Sequence, residues 1–190
     1  MPKPTTPCPL PASFDRRRFL RQTGLACGVI GALAALPSFS SAPQPRSLHF
    51  VHTHTGETLT TTYFNGTDYD AGALLDIDYL LRDFRTGDCM QMDPNLLDIL
   101  WDLQALADRD SAFEIISGFR SPATNAMLHR NSSGVAEHSQ HLLGKAIDLR
   151  LTGYSTLRLS EHARRLARGG VGYYTASDFV HVDTGRVRFW

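Results

Sequence analysis

The sequence predicts an α+β domain, a small antiparallel sheet flanked by helices. Three observations carry that expectation. Two Thr- and aromatic-rich runs, 48–55 and 58–64, sit either side of Gly56 and alternate as a hairpin does. Apolar residues then recur at helical spacing through 74–81 and 96–103. Short alternating runs close the chain, so that helices come largely before strands.

The elements follow in order. Asn65-Gly66-Thr67-Asp68 breaks the chain after the hairpin, and Leu74, Leu75, Ile77, Leu80 and Leu81 form the stripe of a first helix. Asp93-Pro94 starts a second, with Asp as N-cap and Pro in the first turn, where a missing N–H costs nothing. Leu96, Leu97, Leu100, Trp101 and Leu103 supply its buried face. Phe113 to Phe119 alternates as a strand ending at Arg120, and Ser121-Pro122 opens a third helix to about Arg130. Ser155 or Thr156 caps a fourth helix, whose Arg164, Arg165 and Arg168 suit the negative end of its dipole and which Gly169-Gly170 stops. Val171–Tyr174, Phe179–Asp183 and Val187–Trp190 read as a closing antiparallel meander.

Residues 1–42 read as an address. Arg16-Arg17-Arg18-Phe19-Leu20-Arg21 fits the twin-arginine export pattern, followed by a weakly apolar Gly/Ala/Leu stretch and Ser40-Ser41-Ala42 as the cleavage region. The apolar stretch is shorter than the roughly 20 residues that span a bilayer, so no stable membrane insertion is expected once the leader is removed. Cys27 follows Leu25-Ala26, but Gly24 stands where a lipoprotein box wants Leu, and lipidation is not expected. The domain is then 43–190, a length that supports one hydrophobic core. The leader carries five of the 19 basic and one of the 19 acidic residues, leaving 14 against 18 and a net charge of −4. No basic run survives, which argues against nucleic acid as a partner. Cys8 and Cys27 go with the leader, so Cys89 is expected to stand alone and the domain to rest on its core.

The most informative segment is Ser139-Gln-His141-Leu-Leu-Gly144-Lys-Ala146-Ile-Asp148, answered downstream by Asp178-Phe-Val-His181-Val-Asp183. Read as strands, Ile147, Leu149 and Leu151 lie on one face and Asp148 on the other; Val180 and Val182 oppose His181 in the same way. If the apolar faces share a core, Asp148 and His181 point into one cleft, with His141 reaching in from the preceding loop. Two imidazoles and a carboxylate, with a fourth position left for water, are the donor set of a catalytic zinc site. Singly, each is more simply a half-buried strand residue or a turn cap; together, at this spacing, the ligand reading wins. His52 and His54 would share a strand face but lack a third ligand nearby, and His129 and His162 fall on helices as solvated residues.

The pattern S-x-H-x-x-G-x-A-x-D with a late F-V-H-V-D resembles the zinc peptidases of the D-Ala-D-Ala peptidase/hedgehog superfamily, most closely the twin-arginine-exported murein endopeptidase K branch. His54-Thr-Gly-Glu57, Ser117-Gly-Phe-Arg120-Ser and Val182-Asp-Thr-Gly-Arg-Val-Arg-Phe-Trp190 extend the likeness over nearly the whole exported domain. The resemblance implies a small antiparallel sheet with the cleft on one face, and His141, Asp148 and His181 as ligands of Zn2+. It places the proton-accepting residue three positions before the last ligand, at Asp178, against the plain alternative of a loop residue without chemistry. It supports Arg120 in the cleft as a group binding a substrate carboxylate or stabilising the oxyanion, against a surface ion pair. Ser139 is expected to orient His141, and His138 to line the cleft as a substrate or proton contact. The implied function is a monomeric periplasmic murein endopeptidase, zinc-dependent, cutting cross-links between peptidoglycan stem peptides. The resemblance suggests bonds between two diaminopimelate residues or between D-Ala and diaminopimelate. A D,D- or L,D-carboxypeptidase and a non-catalytic zinc-bearing wall-binding module remain as alternatives.

Overall fold

The computed structural model describes residues 6–7, 44–108, 110–131 and 136–190. The leader read at 1–42 therefore lies, apart from two residues, outside the described residues. Nine strands and four helices follow one another there: β1 Thr6–Pro7, β2 Arg46–His52, β3 Thr58–Phe64, α1 Ala71–Leu80, β4 Asp88–Cys89, α2 Pro94–Ala107, β5 Phe113–Ser117, α3 Pro122–Asn131, β6 Ala146–Leu151, α4 Thr156–Leu166, β7 Gly170–Tyr174, β8 Phe179–Asp183 and β9 Arg188–Phe189. A one-turn 3-10 helix, Gln140–Leu143, precedes β6.

Seven strands form one sheet in the order β3-β2-β5-β6-β8-β7-β9, and β1 pairs with β4 apart from it. The sheet is mainly antiparallel, with two parallel pairings, β2 with β5 and β7 with β9. The expected closing meander is corrected at its last step. β7 and β8 form the antiparallel pair, but the final strand crosses over and joins the outer edge of β7 in parallel. The turn at Thr184–Gly185 sends the chain across β7 rather than back along β8. Its start is pinned by Gly185 N–H donating to Asp183 Oδ1 at 2.8 Å.

Alternation sorts the sheet into two faces. Phe113, Ile115, Ile147, Leu149, Leu151, Val171, Val180 and Val182 are buried on the helix side, where α4 packs on β6, β7 and β8 and α2 packs on α4 and β2. These side chains, with Leu96, Leu97, Leu100 and Leu103 of α2, form the core. The helix starts are as the sequence implied: Asp93 Oδ1 accepts from Asn95 N–H at 3.0 Å, and Ser155 Oγ from Arg158 N–H at 3.5 Å. Helix α4 ends earlier than the glycines suggested, at Leu166, with Ala167 in the left-handed region at φ 49°.

Two further expectations change. Cys89 is disulfide-bonded rather than alone. His162 is half-buried on α4, its Nε2 2.8 Å from Tyr154 Oη. No helix among the described residues is long and apolar enough to cross a membrane.

Candidate metal centre

The face of the sheet away from the helices carries the polar residues of β6, β8 and β7. Asp148 and His181 are direct cross-strand partners, so their side chains rise side by side. His141 arrives from the 3-10 turn. Ser139 caps that turn, its Oγ accepting from His141 N–H at 3.3 Å, and Gly144 closes it in the left-handed region at φ 67°. A Cβ on Gly144 would stand 2.4 Å from the carbonyl oxygen of Gln91, so the glycine is required both by its conformation and by that approach.

His141 Nε2, Asp148 Oδ1 and His181 Nδ1 converge: the two nitrogens are 3.2 Å apart and lie 3.2 and 2.8 Å from the oxygen. All three residues are buried. The outward ring nitrogens are committed as donors. His141 Nδ1 lies 2.6 Å from the Gly118 carbonyl, which can only accept, and His181 Nε2 lies 2.9 Å from Asp183 Oδ2. The inward nitrogens are left as lone pairs facing each other and a carboxylate. Three such atoms brought together in a buried place could hold a metal ion. The separations also approach the edge of about 3.3 Å that a tetrahedral ion with bonds of about 2.0–2.1 Å imposes. The donor set fits a metal ion.

Electrostatics express the same demand. Burial lowers His141 below the ordinary imidazole range, Asp148 opposing and Arg120 adding to the fall. Burial also pulls His181 down, but its bonds to Asp148 and Asp183 outweigh that and raise it. Burial works against ionisation of Asp148, yet the two histidines hold its carboxyl well below the usual range. Asp183 is likewise lowered against its burial, by His181 and Arg188.

Arg120 enters the cleft as expected, but by way of an irregularity in β5. The register shifts between Ile115 and Ser117, which sets Ser117 opposite Asp148 on the cleft face. Arg120 Nε then donates to Ser117 Oγ at 2.8 Å, its Nη2 to Asp148 Oδ2, and its main-chain N–H to the His141 carbonyl at 3.2 Å. Buried Asp83 fixes the next residue, accepting from Ser121 N–H at 2.9 Å. A cleft of about 790 Å3 opens over the cluster, lined among others by Arg120, His138, Ser139, Tyr174, Arg188 and Trp190. His138 is exposed at its rim, and Asn125 Nδ2 anchors the preceding carbonyls of Ala136 and Glu137 at 3.2 and 3.1 Å.

Asp178 is placed elsewhere. It adopts φ 50°, and its Oδ1 accepts from Thr156 Oγ1 at 2.5 Å while Oδ2 lies 3.8 Å from Arg150 Nε. Arg150 stands two residues beyond Asp148 on the same face of β6, about 6.6 Å along the strand, and it holds Asp178 at that end. Asp178 is not among the residues lining the cleft, although its neighbours Ser177 and Phe179 are. His52 is a core residue whose Nδ1 accepts from His54 N–H at 3.2 Å, and the His54 ring stacks on Phe84 at 4.3 Å.

Several supporting groups were not assigned from sequence. Asp183 had a readable signal, since H-x-D on a strand puts both residues on one face. The Gly118 carbonyl, a main-chain group, had none.

The chain is similar to known proteins of one family. The sequence profile of the family described as Peptidase_M15_2, Peptidoglycan L,D-endopeptidase MepK, matches residues 40–190. The chain is 41% identical over 177 residues to "Probable peptidoglycan L,D-endopeptidase MepK" of Haemophilus influenzae, covering 93% of this chain and 95% of that protein. It is 38% identical over 178 residues to "Peptidoglycan L,D-endopeptidase MepK" of Escherichia coli K12, covering 93% and 97%. Among solved structures, Serratia marcescens L-Ala D-Glu endopeptidase ChiX aligns with a TM-score of 0.37 and 21% identity over 49% of this chain and 80% of that one. With a family profile spanning the described domain and relatives of this identity along nearly their whole length, the chain belongs to the peptidoglycan L,D-endopeptidase MepK family of M15 peptidases.

Proposed function

We propose that the chain is a zinc-dependent peptidoglycan endopeptidase of the periplasm, acting as a monomer on cross-links between stem peptides, with bonds between two diaminopimelate residues, as well as D-Ala–diaminopimelate ones, as its targets. The observation that carries the reading is the convergence of His141 Nε2, Asp148 Oδ1 and His181 Nδ1, three acceptors with their outward partners already fixed. Zinc held there by His141, Asp148 and His181 would supply a Lewis acid for the peptide carbonyl. Arg120, braced by Ser117 and Asp148, presents a fixed positive charge to the oxyanion side of the cleft. Gly118 and Asp183 keep the two imidazoles aimed inward.

Incubation of the zinc-loaded protein with purified cross-linked muropeptides, with products weighed by mass spectrometry, tests the reading. Conversion of dimers to monomers is expected. Loss of a single terminal residue would instead make the protein a carboxypeptidase, and an unchanged substrate would make it a binding module.

For proton transfer the cleft offers His138 rather than Asp178. Asp178→Asn is expected to keep turnover within a few-fold of wild type, because its carboxylate serves Thr156 and Arg150. His138→Ala is expected to lose about 10²–10⁴-fold at full metal content, the range for general acid–base catalysis. Steady-state rates of the two variants decide it; a large loss in Asp178→Asn alone would restore the expectation from the superfamily pattern.

Export is proposed to use the twin-arginine route, on the strength of Arg16-Arg17-Arg18-Phe19-Leu20. Replacing all three arginines by lysine should strand the precursor in the cytoplasm, read by cell fractionation. Normal export of that variant would point to the general secretory route.

A further inference from the structure

The last residues of the chain do more than cover a sheet edge. In β9 and just beyond it, Arg188 pairs in register with Gly170, and Trp190 N–H donates to the Val171 carbonyl at 3.2 Å. Arg188 and Trp190 thus alternate onto the cleft face of β7, the face that carries Gly170, Gly172 and Tyr174. A Cβ at Gly170 would meet Arg188 Nη1 at 2.3 Å, and one at Gly172 would meet the Trp190 indole at 2.5 Å. Both glycines leave room for side chains of the tail to lie flat across the strand. Covering an edge requires only the main-chain pairing; it does not require this clearance or an indole in a polar cleft.

The two side chains are held in place. Trp190 Nε1 donates to Tyr174 Oη at 3.0 Å, and its ring lies 5.3 Å from the His181 ring. Arg188 stacks over the indole at 5.0 Å and forks onto Asp183, Nη1 to Oδ1 at 3.0 Å and Nη2 to Oδ2 at 2.7 Å. Trp190 nonetheless keeps 46% of its surface exposed, and both residues line the cleft. A half-exposed indole 5.3 Å from the His181 ring stands where a residue next to the cleaved bond would lie. An apolar face edged by a guanidinium that has N–H donors beyond those given to Asp183 and the Arg186 carbonyl is complementary to an aliphatic chain that ends in a carboxylate.

We propose that Trp190 and Arg188 are specificity-determining residues, holding the substrate residue that flanks the cleaved bond by its aliphatic stem on the indole and its free carboxylate on the guanidinium. The inference rests on the peptidoglycan reading above, where diaminopimelate has this chemistry.

The test uses the zinc-loaded protein, Trp190→Ala and Gly172→Ala, with metal content measured in each. Cleavage kinetics are followed on cross-linked muropeptide dimers whose diaminopimelate side-chain carboxylate is free or amidated. Binding of the uncross-linked stem tetrapeptide is followed by calorimetry. At equal zinc, KM and the tetrapeptide Kd are expected to rise about 10-fold in both variants, roughly the worth of one aromatic contact, with kcat within about 3-fold. Amidation is expected to lower wild-type kcat/KM about 10-fold, or to weaken tetrapeptide binding equally. Unchanged KM and Kd in Trp190→Ala at full zinc would overturn the proposal while leaving the endopeptidase reading intact, and indifference to amidation would remove Arg188 from it. A wild type that binds the tetrapeptide with these dependences but cuts nothing would uphold the roles of Trp190 and Arg188 and sink the endopeptidase reading. Neither binding nor cleavage would overturn both.

Discussion

His141→Ala, Asp148→Ala and His181→Ala are each expected to lose stoichiometric zinc after dialysis and to fall to the rate of the uncatalysed reaction, while the fold persists. Each removes one of only three protein donors, and no other His, Cys, Asp or Glu cluster among the described residues offers a substitute. The fold persists because the donors stand on the open face of a sheet whose other face is buried against α2 and α4, so folding does not wait for metal as it does in a zinc finger. Asp148→Ala is the most disruptive to its surroundings, since it also leaves the Arg120 guanidinium without its ion pair. By contrast Asp183→Asn, which alters only the support of His181, should weaken metal binding by about 10–100-fold without abolishing it. Metal analysis and circular dichroism read these effects separately. Stoichiometric metal retained in any alanine variant would remove that residue from the donor set.

Arg120→Lys should keep the metal and cut kcat/KM by about 10²–10³-fold, the loss found when one preorganised oxyanion donor is removed. Lysine preserves the charge but not the fork: it cannot donate to Ser117 Oγ and Asp148 Oδ2 together, as Arg120 does through Nε and Nη2. A point charge on a flexible stem is then free to leave the position where negative charge develops. If Arg120 only braced Asp148, the variant would instead weaken metal binding, and activity per bound zinc would be unchanged. Rates normalised to metal content separate the two outcomes.

Much of the site was legible because strands have a period of two. Ile147, Leu149 and Leu151 against Asp148, and Val180 and Val182 against His181, fixed which side chains leave the core, and β6, Ala146–Leu151, contains all four of the first set. The N-caps at Asp93 and Ser155 were legible for a local reason, their side chains satisfying N–H groups two or three residues on. Groups whose position depends on a single dihedral or on a distant pairing were not legible. Asp178 lies three residues before His181, as the superfamily pattern asks. Its left-handed backbone and the pull of Arg150 and Thr156 nevertheless turn it out of the cleft. The shift that brings Ser117 beside Asp148, and the parallel crossing that brings Trp190 beside His181, are long-range events with no local signal.

Asp148 and His181 face each other across one rung of β6 and β8. A slip of one residue between these strands would turn one of the two donors to the helix side and split the set. Metal uptake is therefore a readout of strand alignment: in a refolded preparation, the share of molecules that takes up one equivalent should equal the share whose rungs are correctly matched. A bound ion would act as a proofreader rather than a nucleus, and retention of metal under a weak chelator would sort a mixed population into aligned and misaligned chains.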